Sequence, residues 1–311
     1  MSAGTAAAAP APAANVAQAL AQAQQLGLDR LHATWLLAHL LRQPRTWLIA
    51  HGDAALATPL AQAFAAACRR CADGEPLAYL LGEQEFHGLR LGVSPDVLVP
   101  RPDTETLVDW ALALLRTFTA DRPQVLDLGT GSGAIALAVA HRHHAAHVSA
   151  TDISPAALAV AQANAQRLGL GLAWACGNWW QAVDDAWPGR PFDLVLCNPP
   201  YIAGDDPHLA ALQHEPQAAL TPGGDGLGAL QAVIHGTPAH IVPGGWLLLE
   251  HGWDQAPAVS AALQAAGFES ISTRRDLAGR PRCTGGQQPN CQHDPHGQHA
   301  QHPGSAAHTL G

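Results

Sequence analysis

The sequence predicts an α/β fold in which a doubly wound, mostly parallel sheet follows a small helical domain and a β-hairpin. Three observations support this prediction. Apolar residues between positions 16 and 82 recur every three or four residues, which is typical of amphipathic helices. Residues 83–100 alternate between apolar and polar side chains around a turn, as hairpin strands do. From position 101 onward, short aliphatic runs alternate with helical patterns, and repeated β-α units form parallel sheets with helices on both faces.

The composition is that of a folded protein and limits its partners. The chain has 311 residues, of which 48% are hydrophobic and 13% are charged, enough for one large domain and a smaller one. The net charge is −9 and every basic residue is arginine, so we expect no direct nucleic-acid partner. No apolar run is long enough to span a membrane. The six cysteines show no disulfide pattern and no secretion signal is evident, so we expect a cytoplasmic protein with no membrane partner.

The first two segments are a leader and a helical domain. Residues 1–15 are rich in alanine and proline, and we expect them to form a flexible leader. Residues 16–82 carry the helical pattern. Cys68 and Cys71 form a C-x-x-C within this pattern rather than at a strand-to-helix turn, so two ordinary helix cysteines are favoured over a redox or metal pair.

The remaining boundaries follow from the hairpin and from the β-α pattern. Residues 83–100 are the predicted hairpin, with its turn at 94–96, and residues 101–285 are the predicted sheet domain. Residues 286–311 are rich in His, Gln, Gly and Pro without an apolar period, and we predict a disordered tail. Its histidines could chelate a metal ion, but biased composition is the favoured explanation and no metal site is predicted; they include His293, His296, His299 and His302.

A glycine-rich turn follows the first strand of the sheet domain, in "VLDLGTGSGAIALA". Its glycines would let the backbone approach a ligand closely, and the following helix would offer free N–H groups to an anion. The next strand ends at Asp152, roughly 20 residues further on, where a carboxylate can accept hydrogen bonds from two ribose hydroxyls. Together these features predict a pocket for a nucleoside. The turn consists of Gly129, Thr130, Gly131, Ser132 and Gly133.

The same pattern narrows the class of ligand. The glycine spacing differs from the dinucleotide fingerprint G-x-G-x-x-G, and the chain has no lysine for a phosphate loop, so a nucleotide polyphosphate is disfavoured. S-adenosylmethionine has a carboxylate for the helix N-terminus, a ribose for Asp152 and an adenine that could lie against Trp179. A purely structural role for Trp179 and Trp180 in the core remains open.

The motif Asn198-Pro199-Pro200-Tyr201 ends an aliphatic run. Proline cannot continue a sheet ladder, so the motif should form a stiff loop at the carboxyl end of a strand, where such folds bind ligands. A nitrogen conjugated to a carbonyl or a ring is a poor nucleophile and must be held in position. The Asn198 oxygen and the Pro199 carbonyl can accept the two N–H bonds of an NH2 group, while Tyr201 covers its flat face. A plain turn is the disfavoured alternative.

From about residue 16 to residue 285 the sequence resembles the bacterial peptide chain release factor glutamine methyltransferases, a class I S-adenosylmethionine-dependent family. The resemblance lies in "GEQEF", "SPDVLVPRPDTE", "DLGTGSGAIALA", "NPPYI" and "LLLEHG". It implies methyl transfer to the glutamine amide in the Gly-Gly-Gln loop of release factors by a monomer whose helical domain docks this substrate. It further implies that residues 198–201 hold the amide, and that the cofactor contacts residues 129–133, Asp152, Trp179 and Asn198.

Other functions remain open. An adenine amino-methyltransferase acting on DNA or RNA would use the same hold on an NH2 group, although the negative net charge and the missing lysine disfavour it. A glutamine methyltransferase acting on a ribosomal protein is a second alternative, and the segment at 100–105 resembles the release-factor group instead. A non-enzymatic cofactor-binding or metal-binding module would leave residues 198–201 unexplained.

The tripeptide Gly-Gly-Gln at 285–287 repeats the implied substrate sequence. We interpret it as a coincidence in a segment rich in glycine and glutamine, rather than as a site of self-modification.

Overall fold

The computed structural model of the chain describes residues 12–290. Its N-terminal part is a bundle of five short helices around a core of aliphatic side chains and Phe64. The helices are α1 (Val16–Gln25), α2 (Arg30–Leu41), α3 (Arg45–Ala50), α4 (Thr58–Ala72) and α5 (Leu77–Leu81).

Side-chain caps explain where the first two helices begin. The Asn15 side chain accepts a hydrogen bond from the Gln18 N–H at 2.9 Å, and Asp29 accepts one from the His32 N–H at the same distance. Both of the C-x-x-C cysteines lie in α4 as free thiols, and burial raises the pKa of Cys68 to about 12. Such a thiol is unreactive, in keeping with an ordinary helix cysteine.

The end of the expected flexible leader belongs to the helical bundle. Residues 1–11 lie outside the described part of the chain. Ala13 is buried in the core of the bundle, and the Ala14 carbonyl accepts a hydrogen bond from the Leu56 N–H at 2.9 Å. Asn15 also forms an isolated bridge with Ala55. The leader boundary at residue 15 is therefore too late, because small alanine side chains pack well even without helical periodicity.

The hairpin forms within the predicted segment but turns at a different place. Strands β1 (Glu83–Phe86) and β2 (Leu89–Gly92) are antiparallel, with Phe86 opposite Leu89. His87 and Gly88 connect them with φ of 49° and 80°, the pair of positive angles that a tight two-residue hairpin turn requires. The predicted turn at 94–96 is wrong, since it follows β2 as a separate turn.

The C-terminal part is built on a seven-stranded sheet with the order β5-β4-β3-β6-β7-β9-β8. Strands β3 to β7 are parallel, and β9 runs antiparallel to both β7 and β8. From β3 the chain adds β4 and β5 on one side and then returns to add β6 and β7 on the other side, and this reversal of strand order opens a crevice at the carboxyl ends of the strands. The strands are β3 (Gln124–Leu128), β4 (His147–Asp152), β5 (Ala173–Cys176), β6 (Phe192–Cys197), β7 (Ile241–Glu250), β8 (Glu269–Arg275) and β9 (Pro281–Gln287).

Helices cover both faces of this sheet, which confirms the doubly wound prediction. Successive strand residues alternate between two cores: Leu194 and Leu196 pack with α6 and α7, whereas Val195 packs with α10 and α11. No helix within residues 12–290 is long and apolar enough to cross a membrane. The helices are α6 (Glu105–Leu115), α7 (Ala134–Arg142), α8 (Pro155–Leu168), α9 (Trp179–Ala186), α10 (Gly228–Gly236) and α11 (Ala256–Ala265).

Strand β9 corrects the predicted boundary of the C-terminal tail. The sequence analysis begins the disordered tail at residue 286, but β9 continues through Gln287, and Gln288 still exchanges hydrogen bonds with Gly244 and Gly245. A Cβ at Gly285 would lie 2.4 Å from Leu248 Cδ2, so only glycine allows the strand to approach β7. Residues 291–311, including the tail histidines named above, lie outside the described residues.

Candidate functional site

A cavity of about 570 Å³ opens at the carboxyl ends of β3, β4, β5 and β6. Most of the predicted site residues line it. The exceptions are Gly133, Pro199 and Tyr201, which lie next to lining residues without being among them. The predicted residues that line the cavity are Gly129, Thr130, Gly131, Ser132, Asp152, Trp179, Asn198 and Pro200.

The glycine-rich turn between β3 and α7 forms the floor of the cavity. A Cβ at Gly131 would meet nothing within 4 Å, so the turn leaves an open cradle that a side chain would occupy. Asp127 supports the turn from below, where its Oδ2 accepts bonds from the Thr130 hydroxyl at 2.6 Å and from the Ala136 N–H at 3.2 Å. Burial raises the pKa of Asp127 to about 7. One N–H of the α7 N-terminus is thereby satisfied, and those of Ala134 and Ile135 have no partner within residues 12–290.

Asp152 ends β4 beside this turn. Its Oδ2 accepts a hydrogen bond from the Gly131 N–H at 2.8 Å, and its Oδ1 accepts one from the Ser154 N–H at 2.9 Å. Burial raises its pKa, while these two N–H groups act in the opposite direction. A carboxylate has about four acceptor positions, so each oxygen can still accept a further bond from a ligand in the cavity. Two adjacent acceptors match the two hydroxyls of a ribose.

The two tryptophans at the start of α9 differ in environment. The Trp179 ring lies over Gly129, where a Cβ would be 3.3 Å from its edge, and Trp179 lines the cavity. Its backbone is strained, with φ of 38°. Trp180 instead donates a hydrogen bond to the Val233 carbonyl at 3.1 Å and stacks on His240. Trp179 therefore fits a wall for a flat ligand, whereas Trp180 belongs to the core.

Asn198 lies directly after β6 and presents its side chain to the cavity. Its Nδ2 donates to the Thr104 hydroxyl at 3.4 Å, which assigns the orientation of the amide. Neither the Asn198 side-chain oxygen nor the Pro199 carbonyl has a hydrogen-bond partner within residues 12–290. Two unused acceptors at the carboxyl end of β6 are suited to bind an NH2 group.

Tyr201 lies next to the cavity without lining it. Its hydroxyl donates to Glu250 Oε1 at 3.1 Å, and its backbone carbonyl accepts a bond from the Gln255 amide at 2.9 Å. These two bonds restrict the motion of the side chain and of the loop that carries it. Glu250 and Thr104 are site residues that the sequence pattern did not predict. A carboxyl group that ends the aliphatic run of β7, next to β6, is the signal that could have revealed Glu250.

Two segments outside the motif complete the cavity wall. Glu215 is buried, accepts a bond from the Val99 N–H at 3.0 Å and forms an ion pair with Arg101. Segments 96–101 and 216–222 both line the cavity, so this carboxylate holds two walls together. The helical bundle reaches the same wall, because the Tyr79 hydroxyl donates to the Val97 carbonyl at 2.6 Å.

Comparison with known families assigns both parts of the chain. Residues 14–82 match the family described as the PrmC N-terminal domain, and residues 105–248 match the methyltransferase small domain. Among solved structures, the hMettl16 catalytic domain has a TM-score of 0.52 at 14% identity and covers 72% of this chain and 81% of its own. At that identity the likeness concerns the fold alone.

Curated relatives match most of the chain. The release factor glutamine methyltransferase of Bordetella pertussis is 49% identical over 267 residues, which cover 84% of this chain and 95% of the relative. The protein of the same name from Xylella fastidiosa is 46% identical over 265 residues, covering 84% and 94%. The two family models together cover the helical bundle and most of the residues that line the cavity.

Proposed function

Because this chain belongs to the release factor glutamine methyltransferases, we propose that it methylates the glutamine of the Gly-Gly-Gln loop in peptide chain release factors. The methyl group would go to the side-chain amide nitrogen. The observation that carries the proposal is the pair of unused acceptors, the Asn198 side-chain oxygen and the Pro199 carbonyl, beside the cavity. A primary amide has two N–H bonds that match them.

S-adenosylmethionine is the cofactor of this family, and it supplies an electrophilic methyl group on a positively charged sulfur. The residues of the cavity fit it. Asp152 offers acceptors for the ribose hydroxyls, and the open turn at Gly131 with the free N–H groups of α7 offers donors for a carboxylate. Trp179 provides a flat wall for the adenine. Gly133 contributes indirectly, since its φ of 84° favours glycine and a Cβ there would lie 2.9 Å from Leu137 Cδ1.

Residues of the motif orient the acceptor. An amide nitrogen is weakly nucleophilic because its lone pair is delocalised into the carbonyl, so its rate of methylation depends on how well it is aimed. Asn198 is itself held by Thr104, and Pro199 and Pro200 limit the motion of the loop. Tyr201 is tied to Glu250 and Gln255, and we propose that its ring supports the amide hold from beneath.

The helical bundle offers a surface for the protein that carries this glutamine. A groove between α2 and α3 is lined by Arg30, Leu31, Arg45 and Ile49, among others. Leu31 is 56% exposed and Ile49 is 83% exposed, and the Arg45 guanidinium lies 4.2 Å from the centre of the Trp35 ring. Exposed apolar side chains beside arginines and an aromatic ring are typical of binding hot spots. We propose that this groove binds the release factor.

An adenine amino-methyltransferase is less well supported. Its substrate would offer the same kind of NH2 group to Asn198, but nucleic-acid binding depends on phosphate contacts, and this chain carries a net charge of −9. The curated relatives are named for release factors, not for nucleic acids or ribosomal proteins. We propose that the protein acts in the cytoplasm as a monomer, with neither nucleic acid nor membrane as a direct partner.

The test supplies the protein with S-adenosylmethionine that carries a labelled methyl group and with a purified release factor. We expect the label on the glutamine of the Gly-Gly-Gln loop, located by mass spectrometry of the digested acceptor. Parallel reactions contain DNA, RNA or ribosomal proteins. Label on any of these, with an unlabelled release factor, would contradict the proposal.

A further inference from the structure

A buried carboxyl group lies beneath the loop that carries Asn198. Glu250 is the last residue of β7, and Leu249 pairs with Cys197, the residue before Asn198. Glu250 is only 1% exposed and does not line the cavity. Removing a carboxyl group from water is costly unless both of its oxygens are bonded, so its position calls for a physical reason.

Glu250 contacts the hydroxyl groups that support the amide hold. The Tyr201 hydroxyl donates to its Oε1 at 3.1 Å. The Thr104 hydroxyl lies near enough to lower the pKa of Glu250, and it accepts the hydrogen bond from Asn198 Nδ2 at 3.4 Å. Oε2 has no hydrogen-bond partner within residues 12–290. One carboxyl group therefore neighbours both of the side chains that flank the amide hold.

We infer that Glu250 is a positioning residue for the methyl transfer proposed above, on which this inference rests. Its carboxylate accepts the bond from the Tyr201 hydroxyl, and its negative charge favours the orientation of the nearby Thr104 hydroxyl in which the hydrogen points toward Glu250. The Thr104 oxygen is then free to accept from the Asn198 amide, which leaves the Asn198 oxygen for the substrate. Because Glu250 does not line the cavity, it would act only through these two side chains.

The direction of these hydrogen bonds depends on the charge of Glu250. An ionised carboxylate only accepts, so the Tyr201 hydroxyl donates to it and the hydrogen of the nearby Thr104 hydroxyl is attracted toward it. A protonated carboxyl group must donate its own proton, and the Tyr201 or Thr104 oxygen is the acceptor within reach. If the proton goes to Thr104, that oxygen competes less well for the Asn198 amide. The ionised form is therefore the one that supports catalysis.

The positive charge near Glu250 only partly balances the negative charge of its ionised form. Burial raises its pKa to about 7, Asp103 also raises it, and the Arg282 guanidinium lowers it. Arg282 is shared, because it also forms ion pairs with Asp103 at 3.0 Å and with Asp276 at 3.2 Å. Three more titratable groups of the described residues lie near Glu250: the thiols of Cys197 on β6 and Cys283 on β9, and the hydroxyl of Tyr201. Burial raises the pKa of each of them well above its ordinary value.

The test measures kcat with whole release factor and the dissociation constant for S-adenosylmethionine, in Glu250→Gln and in wild type, between about pH 6 and about pH 8. Wild-type kcat should rise several-fold with pH as Glu250 ionises. Glu250→Gln should lower kcat roughly tenfold at the upper pH, abolish the rise, and change cofactor affinity less than about twofold. Asp184→Asn is a control, because Asp184 is largely exposed and pairs with His240.

Each outcome bears on the inference. A Glu250→Gln variant with wild-type kcat and a wild-type pH profile would overturn it, and so would an equal loss of cofactor binding, which indicates a collapsed site. If that variant does not fold, Tyr201→Phe tests the same contact from the other side: kcat should fall, cofactor affinity should stay, and the rise with pH should weaken. A wild-type enzyme that fails to methylate release factor refutes the proposed function, whatever Glu250 does.

Discussion

The helical bundle and the sheet region differ in what they bury and in what they expose. Within residues 12–290, every buried polar or charged residue lies at position 104 or beyond, and the core of the bundle is apolar throughout. The bundle, in contrast, has four of the seven exposed large hydrophobic residues, all between positions 26 and 49: Leu26, Leu31, Trp35 and Ile49.

This difference indicates a division of labour. Burying a carboxyl group or an amide costs free energy, and folded proteins accept that cost where a fixed dipole or a shifted pKa is needed. Exposing apolar side chains costs solubility and is accepted where a partner covers them. The sheet region therefore bears the features of chemistry, and the bundle bears those of binding. Variants of each region should affect different kinetic constants.

The largest effect should come from the amide hold. Asn198→Ala removes an acceptor that aims the substrate nitrogen, and we expect kcat to fall on the order of a hundredfold or more. The dissociation constant for S-adenosylmethionine should change little. Single-turnover assays and calorimetry separate these two quantities.

Asn290→Ala is the matched control for Asn198→Ala. Asn290 is exposed and does not line the cavity. It should retain most of the activity. Near-normal turnover in Asn198→Ala would mean that another group holds the acceptor.

A smaller effect, on binding instead of turnover, should follow from Asp152→Ala. The variant loses the hydrogen bonds that the ribose hydroxyls donate to the carboxylate, together worth about 1.5–3 kcal/mol, so cofactor affinity should fall roughly tenfold to a hundredfold. Isothermal titration calorimetry measures it directly. An affinity equal to that of the wild type would show that the ribose is bound elsewhere.

The bundle should affect only the protein substrate. Leu31→Ser or Ile49→Ser should raise KM for whole release factor roughly fivefold, because truncating a central interface residue costs more than about 1 kcal/mol. Activity on a short Gly-Gly-Gln peptide should not change. Leu26→Ser is the control, since Leu26 is exposed but does not line the groove between α2 and α3. Equal losses on protein and peptide would contradict a docking role.

The smallest effect concerns stability and pH. Burial raises the pKa of Asp127 to about 7, so the folded protein keeps this proton at pH values where an unfolded chain, with its carboxyl pKa near 4, has lost it. Between these values the folded state binds more protons, and stability falls as pH rises.

Asp127→Asn removes this titration. Between about pH 5 and about pH 8, the free energy of unfolding should decrease in both proteins. The decrease should be smaller in the variant than in the wild type, and the difference between the two should be on the order of 1 kcal/mol. Thermal unfolding at several pH values gives the two slopes. Asp205→Asn, at an exposed position, is the control. Parallel slopes for Asp127→Asn and wild type would show that Asp127 is already ionised in the folded state.

Local sequence patterns predicted the parallel strands and the position of the cavity. Strands β3 and β6 are buried on both faces and therefore read as continuous aliphatic runs. Each is followed by residues that end a strand, the glycine-rich turn after β3 and the two prolines after β6. The hairpin turn was misplaced because His87 adopts a positive φ without the usual Asn-Gly signature. Strand β9 was missed because two adjacent glycines suggest a loop, and only its pairing with β7 and β8 makes it a strand. Glu250 was missed for a related reason, because its partners come from distant parts of the chain.

Strand β9 has a consequence for how the enzyme distinguishes itself from its substrate. The Gly-Gly-Gln tripeptide at 285–287 would be a competitive inhibitor in cis if it were free. Instead, both glycines pack against side chains with no room for a Cβ, and the Gln287 amide donates to the Gly244 carbonyl at 2.9 Å. Gln287 also pairs with Trp246, four residues before the end of β7 that faces the cavity. While β9 stays paired, Gln287 cannot compete with the substrate glutamine for the amide hold at Asn198. This applies both within one molecule and between two copies of the enzyme.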